Sequence, residues 1–180
     1  GLITLHPNLS SEQRFYMLEQ IVEQVGLRPE AIDRYPHEFS GGMRQRVVIA
    51  MALITRPELV IADEPTTALD VTVQAQVLAL LTDLQKQMGM SVALITHNLG
   101  IVSQLCSRVI VLYGGRIMET APAKQLFEKP LHPYTAALLA SLPRSHRAGE
   151  ALAAIPGQPP EKGAPEAGCP FAPRCRYTQE

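Results

Sequence analysis

The sequence is poor in net charge, in cysteine and in long apolar runs, and each shortage excludes a class of protein. Sixteen basic against 17 acidic side chains leave a formal charge of -1, so no general attraction to nucleic acid or to an anionic bilayer is expected. Cys106, Cys169 and Cys175 are odd in number and unevenly spaced, which argues against a disulfide framework and fits a reducing compartment. No apolar stretch approaches the roughly 20 residues that a bilayer span requires, and no basic flank leads into an apolar run at the N-terminus, so a cytosolic chain is expected. What is present is 180 residues with 46% hydrophobic content, enough to bury one core and leave a tail. Gly1 in place of a methionine, and a terminus just after a cysteine motif, read as two cut ends.

The stretch around which the chain is organised is Phe39-Ser40-Gly41-Gly42-Met43-Arg44-Gln45-Arg46. Two adjacent glycines are expected to let the backbone turn sharply and approach a ligand closely. Ser40 can cap the helix that follows, whose first N–H groups would point outward as an anion site. An ordinary helix start satisfies the same pattern.

Upstream, Ser10 with Gln13 reads as a capping box, and Phe15, Leu18, Val22 and Val25 recur at helical spacing until Gly26. Tyr35-Pro36 interrupts the chain. A helix is expected from about Gly42 to Ile54 with Met43, Val47, Ala50, Met51 and Ile54 inward. Leu59 to Ala62 is a short apolar run that suits a strand covered on both faces of a parallel sheet. Val71 to Gln87 reads as a long helix closed by Gly89, and Ser91 to Thr96 as a second buried strand. Strand, helix, strand in that order predicts an α/β core with functional groups at the carboxyl ends of the strands. Further on come a short helix over Leu99–Leu105, a hairpin of Arg108–Tyr113 and Arg116–Glu119 about Gly114-Gly115, and two proline-started helices, Pro122–Phe127 and Pro133–Leu142. From Pro143 the prolines describe an extended, poorly packed linker.

Asp63 and Glu64 stand at the end of the first strand, where one carboxylate can hold magnesium through its water shell while its neighbour orients a water for attack on phosphate. A turn cap and a solvated glutamate would read the same. His97, past the second strand, is either a satisfied loop histidine or a partner of a terminal phosphate and its water. Asp70 is an N-cap for the long helix. Cys169 and Cys175 could be metal ligands, but two thiols do not close a site, and free cysteines fit equally. Cys106 reads as core.

Taken in order, Phe39 to Gln45, Leu59 to Glu64, Thr67-Ala68-Leu69-Asp70 and Thr96-His97 resemble four consecutive motifs of the ATP-binding-cassette (ABC) ATPases, and this resemblance covers nearly the whole chain. It implies a partial P-loop NTPase fold, with a helical subdomain over 1–56, the C-terminal part of the ATPase core over 57–143, and a proline-rich linker with a cysteine-containing extension over 144–180. It also implies roles: Ser40, Gly41, Gly42 and Met43 as the signature loop that binds nucleotide across a dimer, Asp63 as the Walker B magnesium ligand, Glu64 as general base, Asp70 as the D-loop aspartate and His97 as the switch histidine. Met43 departs from the pattern, since many cassettes carry glutamine there. Gly41 to Val47, Ile61 to Thr72 and Leu131-His132-Pro133-Tyr134-Thr135 resemble, more narrowly, the ATPase subunits of bacterial dipeptide and oligopeptide importers.

That resemblance implies ATP and Mg2+ as cofactors, a second ABC ATPase subunit and two transmembrane permease subunits as partners, and a periplasmic binding protein acting indirectly. It implies a peripheral place on the cytoplasmic face of the inner membrane, and no nucleic acid. In some members the cysteine extension holds a four-iron cluster, so Cys169 and Cys175 would be half of an incomplete iron–sulfur ([4Fe-4S]) site. The phosphate loop G-x-x-x-x-G-K-[ST] is missing, because Lys86, Lys124, Lys129 and Lys162 all lack a preceding glycine. A C-terminal fragment without a Walker A motif, inactive alone, is the expectation. The alternatives are an importer for nickel or another solute, a soluble ABC ATPase outside transport, and a non-enzymatic truncated product.

Overall fold

The computed structural model describes residues 7–142, 154–160 and 168–178. The chain divides into two compact units, Gly1–His97 and Asn98–Glu180.

The first unit begins with helix α1, Ser11–Gln24. Ser10 Oγ accepts from the Gln13 N–H at 3.1 Å while Gln13 Oε1 accepts from the Ser10 N–H at 2.8 Å, the reciprocal pair that the spacing predicts. Beyond α1, Gly26 takes a φ of 72°. The Arg46 guanidinium donates to the Val25 carbonyl at 2.7 Å, supplying a cation at the negative end of the helix. Short 3₁₀ turns, Pro29–Asp33 and Pro36–Glu38, lead to helix α2, Gly41–Leu53.

Ile49, Ala50 and Leu53 form the buried side of α2, whereas Met51, expected inward, is 70% exposed. At about 100° per residue Met51 falls some 160° away from both Ile49 and Leu53. Strand β1, Leu59–Asp63, and strand β2, Ser91–Ile95, pair in parallel from Leu59↔Ser91 to Asp63↔Ile95, with helix α3, Val71–Met88, between them in sequence. Gly89 at a φ of 66° ends α3. Val60, Ala62, Val92 and Leu94 pack with Leu53, Val77, Leu81 and Leu84 in one core.

The expected cover on both faces of the sheet is absent among the described residues. Leu59, Ile61 and Ile95 are 55%, 67% and 49% exposed. Alternate residues of a strand face opposite sides, and the core of this unit lies against one side only.

The second unit starts with helix α4, Leu99–Leu105, capped by the Asn98 side chain. Strands β3, Arg108–Tyr113, and β4, Arg116–Pro122, form the expected antiparallel hairpin. Gly114 and Gly115 supply the positive φ values, 55° and 75°, that a two-residue turn requires. Helices α5, Ala123–Glu128, and α6, Pro133–Ala140, follow. Pro133 opens α6 as expected, but Pro122 does not open α5: it pairs with Arg108 at the end of β4 and keeps an extended ψ of 139°. The buried Glu119 carboxylate accepts from the Leu131 and His132 N–H groups at 2.9 and 3.0 Å, tying β4 to the start of α6. Val102, Val109, Val111, Ala121, Ala123 and Leu126 form this unit's core.

Of the stretch expected to be loose, 143–153, 161–167 and 179–180 lie outside the described residues, and the rest is anchored. Phe171 is 2% exposed, its ring 5.4 Å from that of Tyr113 and 5.2 Å from that of Tyr134. Arg174 donates to the Pro156 and Ile155 carbonyls at 2.7 and 3.0 Å and to Tyr113 Oη at 3.0 Å. A buried aromatic and a guanidinium that satisfies three acceptors offset the entropy of ordering a proline-rich segment. Phe171→Ala is expected to cost about 3 kcal/mol of the stability of this unit and to accelerate alkylation of Cys175. Denaturant titration and thiol-labelling rates measure both, and an unchanged midpoint would show that the ring does not hold the tail.

Candidate functional site

Parallel pairing brings the carboxyl ends of β1 and β2 side by side, and the residues just beyond them form a hydrogen-bonded cluster. Asp63 ends β1 with its side chain exposed. Glu64 follows at a φ of 45°, in the left-handed region that a non-glycine residue enters at a cost. Its N–H donates to the carbonyl of Ile95, the last residue of β2, at 2.9 Å. The strained residue is therefore locked by the neighbouring strand.

The Glu64 side chain is held at both oxygens. Oε1 accepts from the His97 backbone N–H at 3.2 Å and lies 2.7 Å from His97 Nδ1, while Oε2 accepts from the Thr67 hydroxyl at 3.1 Å. Thr67 is brought there by a turn in which its own N–H donates to the Glu64 carbonyl at 3.1 Å. The bond from the His97 ring, foremost, holds the Glu64 carboxyl below its ordinary pKa, with Thr67 acting in the same direction. A lowered carboxylate pKa means that the pair is intact at neutral pH and lost as pH falls through the lowered value. An ionised carboxylate only accepts, so Nδ1 carries the proton toward Oε1, leaving Nε2 of an 85% exposed imidazole for water or ligand.

The glycine corner is built differently from its expectation. Ser40 caps α2, its hydroxyl accepting from the Met43 N–H at 3.3 Å. Gly41 and Gly42 lie inside the first turn of the helix, and neither has a positive φ. What the position demands is the absence of a Cβ: one on Gly41 would sit 3.3 Å from Leu69 Cδ2, and one on Gly42 only 2.6 Å from Val73 Cγ1. The glycines thus let the start of α2 lie against the start of α3, where Asp70 Oδ1 accepts from the Val73 N–H at 2.9 Å as the expected N-cap.

Glu64 and His97 are therefore brought together, with Asp63 beside them in sequence. Ser40, Gly41, Gly42 and Met43 instead neighbour the Asp70 helix start, and among the described residues no hydrogen bond joins Ser40 or Met43 to Glu64 or His97. Thr67 is the contributor that reading the sequence did not single out. It opens the Thr67-Ala68-Leu69-Asp70 motif, in which only Asp70 was given a role, and it stands three residues after Glu64.

Cys169 and Cys175 are both free thiols. Cys169 Sγ lies 3.8 Å from His132 Nε2, and no group of three His, Cys, Asp or Glu donors occurs among the described residues. The donors present do not make a cluster site, and none is assigned. Cys106 packs against the second unit's core as expected, and burial raises its thiol pKa.

No helix among the described residues is long and apolar enough to cross a membrane. Comparison with known proteins matches residues 3–67 to the ABC transporter family and residues 118–180 to the family described as oligopeptide/dipeptide transporter, C-terminal region. The first match contains Ser40 to Met43, Asp63 and Glu64; the second contains Cys169 and Cys175. The oligopeptide transport ATP-binding protein OppD of Escherichia coli (strain K12) is 48% identical over 99% of this chain and 54% of its own length. The dipeptide transport ATP-binding protein DppD of Bacillus subtilis (strain 168) is 55% identical over 81% of this chain and 44% of its own. Among solved structures, cbiO1 of Clostridium perfringens, part of the ABC transporter complex cbiONQ, superposes with a TM-score of 0.61 at 28% identity, covering 70% of this chain and 50% of that one. The chain spans about half the length of the curated relatives it matches. With its α/β fold, its parallel strand pair and sequence identity running through both matched regions, the chain belongs to the ABC transporter ATPases, in the oligopeptide/dipeptide transporter family.

Proposed function

We propose that this chain supplies the Walker B, switch and signature portions of an ATPase subunit that energises import of dipeptides or oligopeptides. In this reading it acts at the cytoplasmic face of the inner membrane with a second ATPase subunit and two permease subunits, the binding protein acting on them from outside. The observation that carries the reading is Glu64, held at one oxygen by His97 and at the other by Thr67 at the end of a parallel strand. The names of the relatives support a peptide cargo.

Hydrolysis of ATP here is in-line attack of water on the terminal phosphorus: the new O–P bond forms as the bond to ADP breaks, and the water gives up a proton. Glu64 Oε1 already takes two bonds, whereas Oε2 takes one, so Oε2 retains the lone pair that can accept from the water. His97 steadies that carboxylate through Nδ1 and offers Nε2 toward the phosphate side. Asp63, an exposed carboxylate at the strand end, suits Mg2+ held through its water shell, and the ion when bound neutralises phosphate charge. Ser40, Gly41, Gly42 and Met43 form the helix-start face offered to a nucleotide on the partner subunit. The residues that cradle the phosphates on the Glu64 side are not in this sequence, where no G-x-x-x-x-G-K-[ST] occurs.

The test is reconstitution of the protein carrying this sequence with its permease subunits in proteoliposomes. ATP turnover is expected to rise severalfold with peptide-loaded binding protein, while the 180-residue chain alone shows none above background. Robust turnover by the isolated chain, or turnover stimulated by nucleic acid and indifferent to peptide, would overturn the reading.

A further inference from the structure

A carboxylate offers about four lone-pair positions, and in Glu64 three are taken. Oε1 receives the His97 N–H and lies within hydrogen-bond distance of His97 Nδ1, and Oε2 receives the Thr67 hydroxyl. The open acceptor position is thus on the oxygen that Thr67 grips. Glu64 is about one-third exposed, and its carboxylate is held by hydrogen bonds at both oxygens. Those hydrogen bonds orient the open position. Thr67 is itself anchored by its backbone bond to the Glu64 carbonyl at 3.1 Å, and the preceding residue, Thr66, is buried. The hydroxyl is therefore presented from a fixed turn.

We propose that Thr67 is a positioning residue for hydrolysis, aiming the open lone pair of Glu64 Oε2 at the attacking water. The proposal rests on the reading of Glu64 as general base. Thr67 touches neither water nor nucleotide in this role: it acts through Glu64. Thr67 is exposed, so its isostere valine removes the hydroxyl without opening a cavity.

The experiment measures steady-state ATP turnover of the assembled transporter for wild type, Thr67→Val, Thr67→Ser, Glu64→Gln and the Glu64→Gln/Thr67→Val double variant. Loss of one positioning hydrogen bond is expected to lower kcat about fivefold to tenfold, with KM for ATP unchanged. Thr67→Ser, which keeps the hydroxyl, should restore kcat to near wild type. In the Glu64→Gln background Thr67→Val should cause no further loss, because both changes act on one interaction. A Thr67→Val enzyme with wild-type kcat, one with raised KM and intact kcat, or a serine variant as slow as valine would each overturn the role of Thr67 while leaving Glu64 as base. Full turnover by Glu64→Gln would instead overturn the reading of Glu64, and this proposal with it.

Discussion

Glu64→Gln is expected to lower the ATP turnover of the assembled transporter by at least about 10²-fold, the scale of a lost general base, while leaving nucleotide binding intact. Glutamine has almost the shape of glutamate but not its acceptors. The two His97 donors face Oε1, so the amide oxygen settles there and the NH2 takes the place of Oε2. The Thr67 hydroxyl can reverse its role and accept from that NH2. The water cannot: it meets a donor where it needs an acceptor. The variant should therefore fold, bind ATP and stall. Phosphate release and nucleotide affinity, measured together, check this. Turnover within threefold of wild type would mean that Glu64 is a solvated glutamate beside a turn and not the base.

Gly42→Ala is expected to disturb the contact between the starts of α2 and α3, and the sign of its effect on stability is set by a competition. Alanine in a helix is favoured over glycine by about 1 kcal/mol, so a free helix would gain. Here the new Cβ would lie 2.6 Å from Val73 Cγ1. Val73 is β-branched and in a helix is confined largely to one rotamer, so it cannot swing aside. Overpacking of this kind costs about 1 to 3 kcal/mol. The net expectation is a loss of roughly 1 kcal/mol, with the starts of α2 and α3 pushed apart. Gly42→Val should cost more. Val73→Ala removes the obstructing methyl group, so Gly42→Ala introduced into that background should be neutral or stabilising. Chemical denaturation of wild type, Gly42→Ala, Val73→Ala and the double variant forms a double-mutant cycle. A coupling energy near zero would mean that the glycine is kept for ligand approach and not for helix contact.

The Gly42 result bears on what a sequence can show. The corner was legible as a corner: Ser40 is the cap and a helix follows. The reason for its glycines was not, because a tight turn and a close helix contact leave the same letters. Local signals elsewhere hold, since each is decided within a few residues: the Ser10–Gln13 box, the Asp70 cap, Gly89 after α3 and the Gly114-Gly115 turn. Met51 failed because periodicity names a face only once the centre of that face is known. The tail failed for a related reason. Proline content describes the stiffness of a chain, whereas the burial of Phe171 and the three acceptors of Arg174 come from residues up to 61 positions away.

The sequence by itself determined the order of elements, the parallel strand pair and the placing of Asp63, Glu64 and His97 beyond the strand ends, since apolar period, capping and turn chemistry are all short-range. Tertiary structure alone decided which oxygen of Glu64 His97 takes, that Thr67 takes the other, which face of the sheet is left open, and that Gly42 answers to Val73. These depend on how residues distant in the chain, or turned back on themselves by a strained φ at Glu64, come within about 3 Å of one another. Spacing along a sequence carries no distance at that scale.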